Sequence, residues 1–178
     1  MNHHGANNYR ACFQFQKSVF GDSNKSSGNF IFFGLPFEQC REFISVMAEF
    51  NSVIFVELDL VSLDQAESLV RFNEFLSGLS HSSGLVLVRV DQENDGFVVE
   101  RMVQRANATR AKVKIILILE SGNFYLRSKN SFLLDRFETI DLSNPAPSKE
   151  RSFDSGDGYN RMRLIFDYCN SLQKRCLK

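Results

Sequence analysis

The chain starts polar and then settles into a repeating order of apolar and polar positions. Residues 1–8 are polar and read as a frayed end. "ACFQFQKSVF" (11–20) alternates in part and predicts a short strand or a segment packed on the domain edge. "GDSNKSSGN" (21–29) is turn-type and predicts a loop. From there the pattern is regular. "FIFFGL" (30–35) is a continuous apolar run, as expected of a strand buried on both faces. Pro36 suits a first helical position. Phe37, Cys40, Ile44, Met47 and Phe50 follow at helical spacing. "SVIFVELDL" (52–60) is a second buried strand.

Ser62 predicts the next helix start, with Gln65 three residues on as in a capping box. Its core stripe is Ala66, Leu69, Phe72 or Asn73, Leu76 and Leu79. "LVLVRVD" (85–91) is the third strand, and Asp95 caps the helix of "GFVVERMVQRANATRA". "KVKIILILES" (112–121) is the fourth strand. "YLRSKNSFLLDRF" turns helical near its end, and "ETIDLS" (138–143) is a shorter fifth strand. A loop, "NPAPSKERSFDSGDG", leads to an amphipathic helix, "YNRMRLIFDYCNSLQKR". That helix carries Met162, Ile165, Tyr168 or Cys169, Leu172 and Cys176 on its apolar face.

Strands alternate with helices, and parallel strands need such crossovers. The expected architecture is an α/β three-layer sandwich. Its mostly parallel five-stranded sheet carries helices on both faces, in the P-loop-like or receiver-like manner. Residues 1–28 read as a polar N-terminal segment and 29–178 as a single α/β domain.

Composition narrows the partners. Lys+Arg and Asp+Glu are 21 each, so no global charge draws the chain to nucleic acid or membrane. No apolar run approaches a membrane span. The amino terminus lacks the basic-then-apolar order of a signal peptide. The four cysteines form no CxxC pair and read as reduced thiols, which fits a cytoplasmic protein. Cys40, Cys169 and Cys176 read as small core residues. With 18 Phe and no Trp, packing rests on phenylalanine.

Ligands of such sheets bind beyond the carboxyl ends of the strands. The residues there are Gly34 to Phe37, Glu57, Asp59, Asp91 to Asp95, Glu120 to Asn123, and Asp141 to Asn144. Glu57, Asp59, Asp91 and Glu120 could hold Mg²⁺ if clustered, or simply end strands and cap helices. The first loop, Gly34-Leu35-Pro36-Phe37, has no GxxxxGK[ST], so nothing cradles a triphosphate. Leu35 and Phe37 put side chains where phosphates need bare backbone, and at least one is expected in the core. No cofactor is expected. No nucleophile–base pair stands out, and His3, His4 and His81 lie in the tail or a Ser-rich turn. Arg101, Arg105, Arg110, Lys112 and Lys114 follow one another with no acid between. Arg101 and Arg105 share a helix face. These cations read as a solvated face or as a landing patch for phosphate or an acidic protein surface.

Segment 83–151 resembles the second half of an AAA+ ATPase core. "SGLVLVRVD" is similar to its Walker B strand, with Asp91 as the metal-site aspartate and Gln92 where a catalytic glutamate belongs. "KVKIILILESGN" resembles the sensor strand, with Ser121 or Asn123 in the polar role. "FLLDRFETIDLSNPAPSKER" resembles the helix end and last strand, with Arg136 at the arginine-finger position. "VFGDS", "IFFG" and "PAPSKER" are similar to bacterial enhancer-binding activators. Walker A is absent. The chain also resembles response-regulator receiver domains, with Asp91 as phosphoacceptor and Ser121 as the following hydroxyl. There the acidic pair after the first strand is missing, only Glu38 being near, and Asn144 replaces the lysine.

These resemblances imply a degenerate, non-catalytic AAA+-like module that binds another protein, a regulatory or assembly subunit. Arg101, Arg105, Arg110 and Arg136 are the partner-binding candidates. Without nucleotide to bridge subunits, a monomer or weak dimer is expected. The alternatives are a Mg²⁺-dependent phosphohydrolase or nuclease using Glu57, Asp59, Asp91 and Glu120, and a receiver-like switch at Asp91 and Ser121.

Overall fold

The apolar run after residue 29 forms strand β1 (Phe30–Phe33), and the helical pattern after Pro36 forms α1 (Phe37–Phe50). There follow β2 (Ile54–Asp59), α2 (Gln65–Leu79), β3 (Ser83–Arg89), α3 (Asp95–Ala108), β4 (Lys112–Leu119) and β5 (Glu138–Asp141). The structure, a computed structural model, describes residues 15–16, 18–20, 28–79, 82–90, 95–119 and 136–142. The predicted helices before 136 and after 158 and the loop between 143 and 159 lie outside those residues.

The five strands form one sheet in the order β2-β3-β4-β1-β5, and every pairing is parallel. From β1 the chain crosses to the β2 edge, then steps back through β3 to β4. Parallel crossovers are right-handed, so reversing direction across the sheet moves the helices to the opposite face. That is the arrangement found. Phe30, Phe32, Leu85, Leu87, Ile116 and Ile118 pack on the α1 face. Ile31, Leu58, Val86, Val88, Ile115 and Leu117 pack on the face of α2 and α3. The sandwich has three layers, as the alternation of elements implies. The central strands β3 and β4 are apolar on both sides, whereas the edge strands β2 and β5 are half-exposed.

Local details depart from expectation in three places. Pro36 lies one residue ahead of the helix, where its carbonyl accepts the first helical bond from Cys40 N–H at 3.2 Å. Helix α2 starts after Asp64, not at Ser62. Asp64 Oδ1 accepts from Glu67 N–H at 2.7 Å and its carbonyl from the Ser68 hydroxyl at 2.8 Å. Ser62 is instead drawn into a turn, its N–H and hydroxyl both donating to the Asp59 carbonyl at 3.3 Å. Ala66 and Asn73 are exposed, and Phe72 and Leu79 fill the core positions of that helix.

The third difference is before residue 28. Residues 15–16 and 18–20 are helical, and Phe15 and Val19 are buried in the α1-face core. The Phe15 ring lies 4.2 Å from that of Phe32, tilted by 48°. Lys114 Nζ donates to the Val19 carbonyl, and Asn51 Nδ2 donates to Gln16 Oε1 at 3.4 Å. The pattern over residues 11–20 predicts a short strand or a segment packed on the domain edge; their described part is helical, with Phe15 and Val19 packed into the core. Cys40 is a buried free thiol, as expected; the other three cysteines lie outside the described residues. Among the described residues no helix is long and apolar enough to cross a membrane.

Candidate functional site

All five strands point the same way, so their carboxyl ends share one edge, and the turn after β1 lies there between β4 and the edge strand β5. Only Gly34, Leu35 and Pro36 separate β1 from α1. The eight-residue GxxxxGK[ST] loop needs far more chain and a run of free N–H groups. Gly34 turns the chain with a φ of 94°, a conformation that suits glycine. Pro36 contributes no donor. Phe37 is fully buried and Leu35 packs against the same core, as expected for a turn that closes on itself.

Beside this turn lies a network of charges that no motif announced. Alternation along β2 puts Phe55, Glu57 and Asp59 on the α1 side, and the same alternation puts Arg89 there at the end of β3. Arg41, one turn into α1, reaches Glu38 Oε2 at 2.6 Å and Glu57 Oε1 at 3.9 Å. Arg89 Nη1 lies 3.7 Å from Asp59 Oδ2, and its guanidinium sits 5.3 Å from the centroid of the Phe37 ring. Asp59 Oδ1 also accepts from Val61 N–H at 3.0 Å, which fixes the turn leaving β2. Burial pushes the Glu57 carboxyl above its ordinary range. Arg41 opposes that rise, Glu38 and Asp59 add to it, and Arg89 opposes it.

Chemically, this network is a stabilised ion cluster more than a ligand set. Glu57 and Asp59 were candidates for Mg²⁺, yet each is turned to an arginine. Among the described residues no three His, Cys, Asp or Glu side chains group to hold a metal ion. Asp91, Gln92, Glu120, Ser121, Asn123 and Asn144 lie outside the described residues. Asp95 is the first residue of α3, inside the helix, and is buried.

The basic candidates fall into different settings. Arg101 is exposed on α3 and stacks 4.7 Å from the centroid of Phe97, one turn earlier. Arg105, one turn later, is half-buried, and its Nη1 donates to the Leu69 carbonyl of α2 at 3.5 Å. Arg110 is exposed in the α3–β4 turn, and Lys112 is exposed at the start of β4. Burial lowers the pKa of Lys114, whose amine faces the amino-terminal segment. Arg136 is exposed two residues before β5. The fold brings Arg101 and Arg105 together and leaves Arg136 on a different element.

Sequence reasoning passed over Arg41, Arg89 and Phe97. A signal existed for two of them. Arg89 breaks an apolar run in "LVLVRV", and Phe97 stands four residues before Arg101. Comparison with known proteins adds no further constraint: no family model matches the chain, and no curated protein matches it.

Proposed function

We propose that this chain is a non-catalytic, AAA+-like module that acts by binding another protein, as a regulatory or assembly subunit in the cytoplasm. The observation that carries the reading is the three-residue β1–α1 turn with Phe37 buried behind it. A chain in this position that cannot surround a triphosphate loses the group around which such ATPases are built. The charges next to the turn are already matched to one another through Arg41 and Arg89. Strand order also favours the ATPase-like reading over the receiver-like one. Flavodoxin-like sheets run 2-1-3-4-5, with β1 between β2 and β3, whereas here β1 lies between β4 and β5.

The direct test is equilibrium binding of a fluorescent ATP analogue with Mg²⁺, followed by a phosphate-release assay. Neither saturable binding at micromolar concentrations nor turnover is expected. Micromolar affinity with steady hydrolysis overturns the proposal and returns the chain to the working ATPases.

A further inference from the structure

We propose that the Phe97–Arg101–Arg105 stripe of α3 docks an acidic amphipathic segment of a partner protein. The inference rests on the binding-module reading above and names the surface and the chemistry of the partner. Residues four apart stack along one flank of a helix, so these three side chains form a continuous line. Arg105 donates to the Leu69 carbonyl, which sets the end of the line against α2. Phe97 is 56% exposed, the highest value among the exposed large hydrophobics of the described residues. The least-covered of these apolar side chains thus lies against Arg101 of the arginine pair.

The cations differ from those elsewhere in the fold. Arg41, Arg71 and Arg89 each have a carboxylate within ion-pair distance. Arg101 and Arg105 have no ion pair with a described carboxylate. From Arg101 to Leu119 the chain holds no acidic residue to supply one. The Arg101 guanidinium sits over the Phe97 ring, 4.7 Å from its centroid, and a guanidinium held there can meet a carboxylate in a two-pronged contact. Pre-orienting that side chain lowers the entropy cost of docking.

An acidic helix or strand with an apolar residue matches both parts of the surface. Carboxylates meet the arginines, and the apolar side chain covers Phe97. Nucleic acid fits less well. Its affinity comes from neutralising many phosphates, and two arginines beside an exposed phenylalanine on a chain of balanced charge offer few such contacts.

The test uses the full chain and a fluorescein-labelled peptide with Glu and Leu at helical spacing, read by anisotropy at low salt. A second peptide replaces Leu by Ser, and a labelled duplex DNA serves as competitor class. Salt-sensitive binding is expected for the Glu/Leu peptide, weaker binding for the Glu/Ser peptide, and weaker still for DNA. Arg101→Glu should weaken peptide binding about tenfold, and Phe97→Ser by a similar factor, with unchanged thermal melting. Arg101→Lys should fall between wild type and Arg101→Glu, because it keeps the charge and loses the two-pronged contact. No peptide binding at millimolar concentration, no effect of Arg101→Glu, or DNA bound as tightly as peptide each overturns the docking surface. ATP turnover in the assay above overturns the binding-module reading instead, whatever the peptide does.

Discussion

Asp59 and Arg89 stand directly opposite each other in the β2–β3 ladder, and their charged groups lie 3.7 Å apart. The pair ends the two strands at the carboxyl edge of the sheet and covers the buried Phe37 ring. Both side chains are largely but not wholly shielded, at 26% and 31% exposure, so solvent screening still limits the pair. A double-mutant cycle with Asp59→Asn and Arg89→Met should give a coupling of about 0.5–1 kcal/mol. The amide introduced by Asp59→Asn keeps an oxygen that can accept from Val61 N–H, so the cycle isolates the charge. Urea unfolding of the four proteins measures it, and additive effects would show that the pairing is incidental.

Much of this fold is legible in the chain because it depends on local patterns. Continuous apolar runs marked the strands, and 3.6-residue spacing marked α1, α2 and α3. Strand order is not local: nothing between 30 and 60 says that β1 and β2 are three places apart in the sheet. The Asp59–Arg89 pair is hidden for the same reason, since it exists only once the β2–β3 register is set. The segment 11–20 misleads because Phe13 and Phe15 suit a strand while Phe15 and Val19 suit a helix. The contact of Phe15 with Phe32 decides between them. Likewise Ser62 has the right chemistry for a cap, but Asp59 captures it in a turn and Asp64 takes its place.

Two glycines separate close packing from helix propensity. A Cβ on Gly84 of β3 would lie 2.6 Å from Leu79 Cδ1 and 2.8 Å from Phe75 Cζ. Leu79 is buried and has little room to yield. Gly84→Ala should therefore cost about 1–3 kcal/mol through overpacking between α2 and the sheet. Gly78, near the end of α2, has nothing within 4 Å of its would-be Cβ. Gly78→Ala should stabilise by about 0.5–1 kcal/mol, because alanine restricts the unfolded chain and suits the helix. Denaturant midpoints moving in the same direction for both variants would contradict this account.

Glu57 makes stability depend on pH in an identifiable direction. In the folded state burial raises its pKa, with Glu38 and Asp59 adding and Arg41 and Arg89 opposing. The folded chain therefore holds this proton at a pH where the unfolded chain has released it. Its contribution is most favourable below the ordinary carboxylate range and declines as pH climbs through the raised folded value. Glu57→Gln cannot titrate and should flatten that part of the stability–pH profile. Melting curves of both proteins taken from pH 4 upward test this, and parallel profiles would assign the slope to other groups.

The amino-terminal helical segment provides the sharpest test of where the domain begins. Phe15 is fully buried, its ring rests on Phe32, and the neighbouring Val19 carbonyl accepts from Lys114. A peripheral segment could lose this side chain at almost no cost. A core residue could not, because removal leaves a cavity under α1 as well as lost transfer energy. Phe15→Ala should destabilise by about 3–5 kcal/mol, a large share of what a domain of this size commands. The unfolding slope in urea should stay unchanged, since the same core still unfolds as one unit. A loss below about 1 kcal/mol, as for an ordinary surface substitution, would return residues before 28 to the periphery.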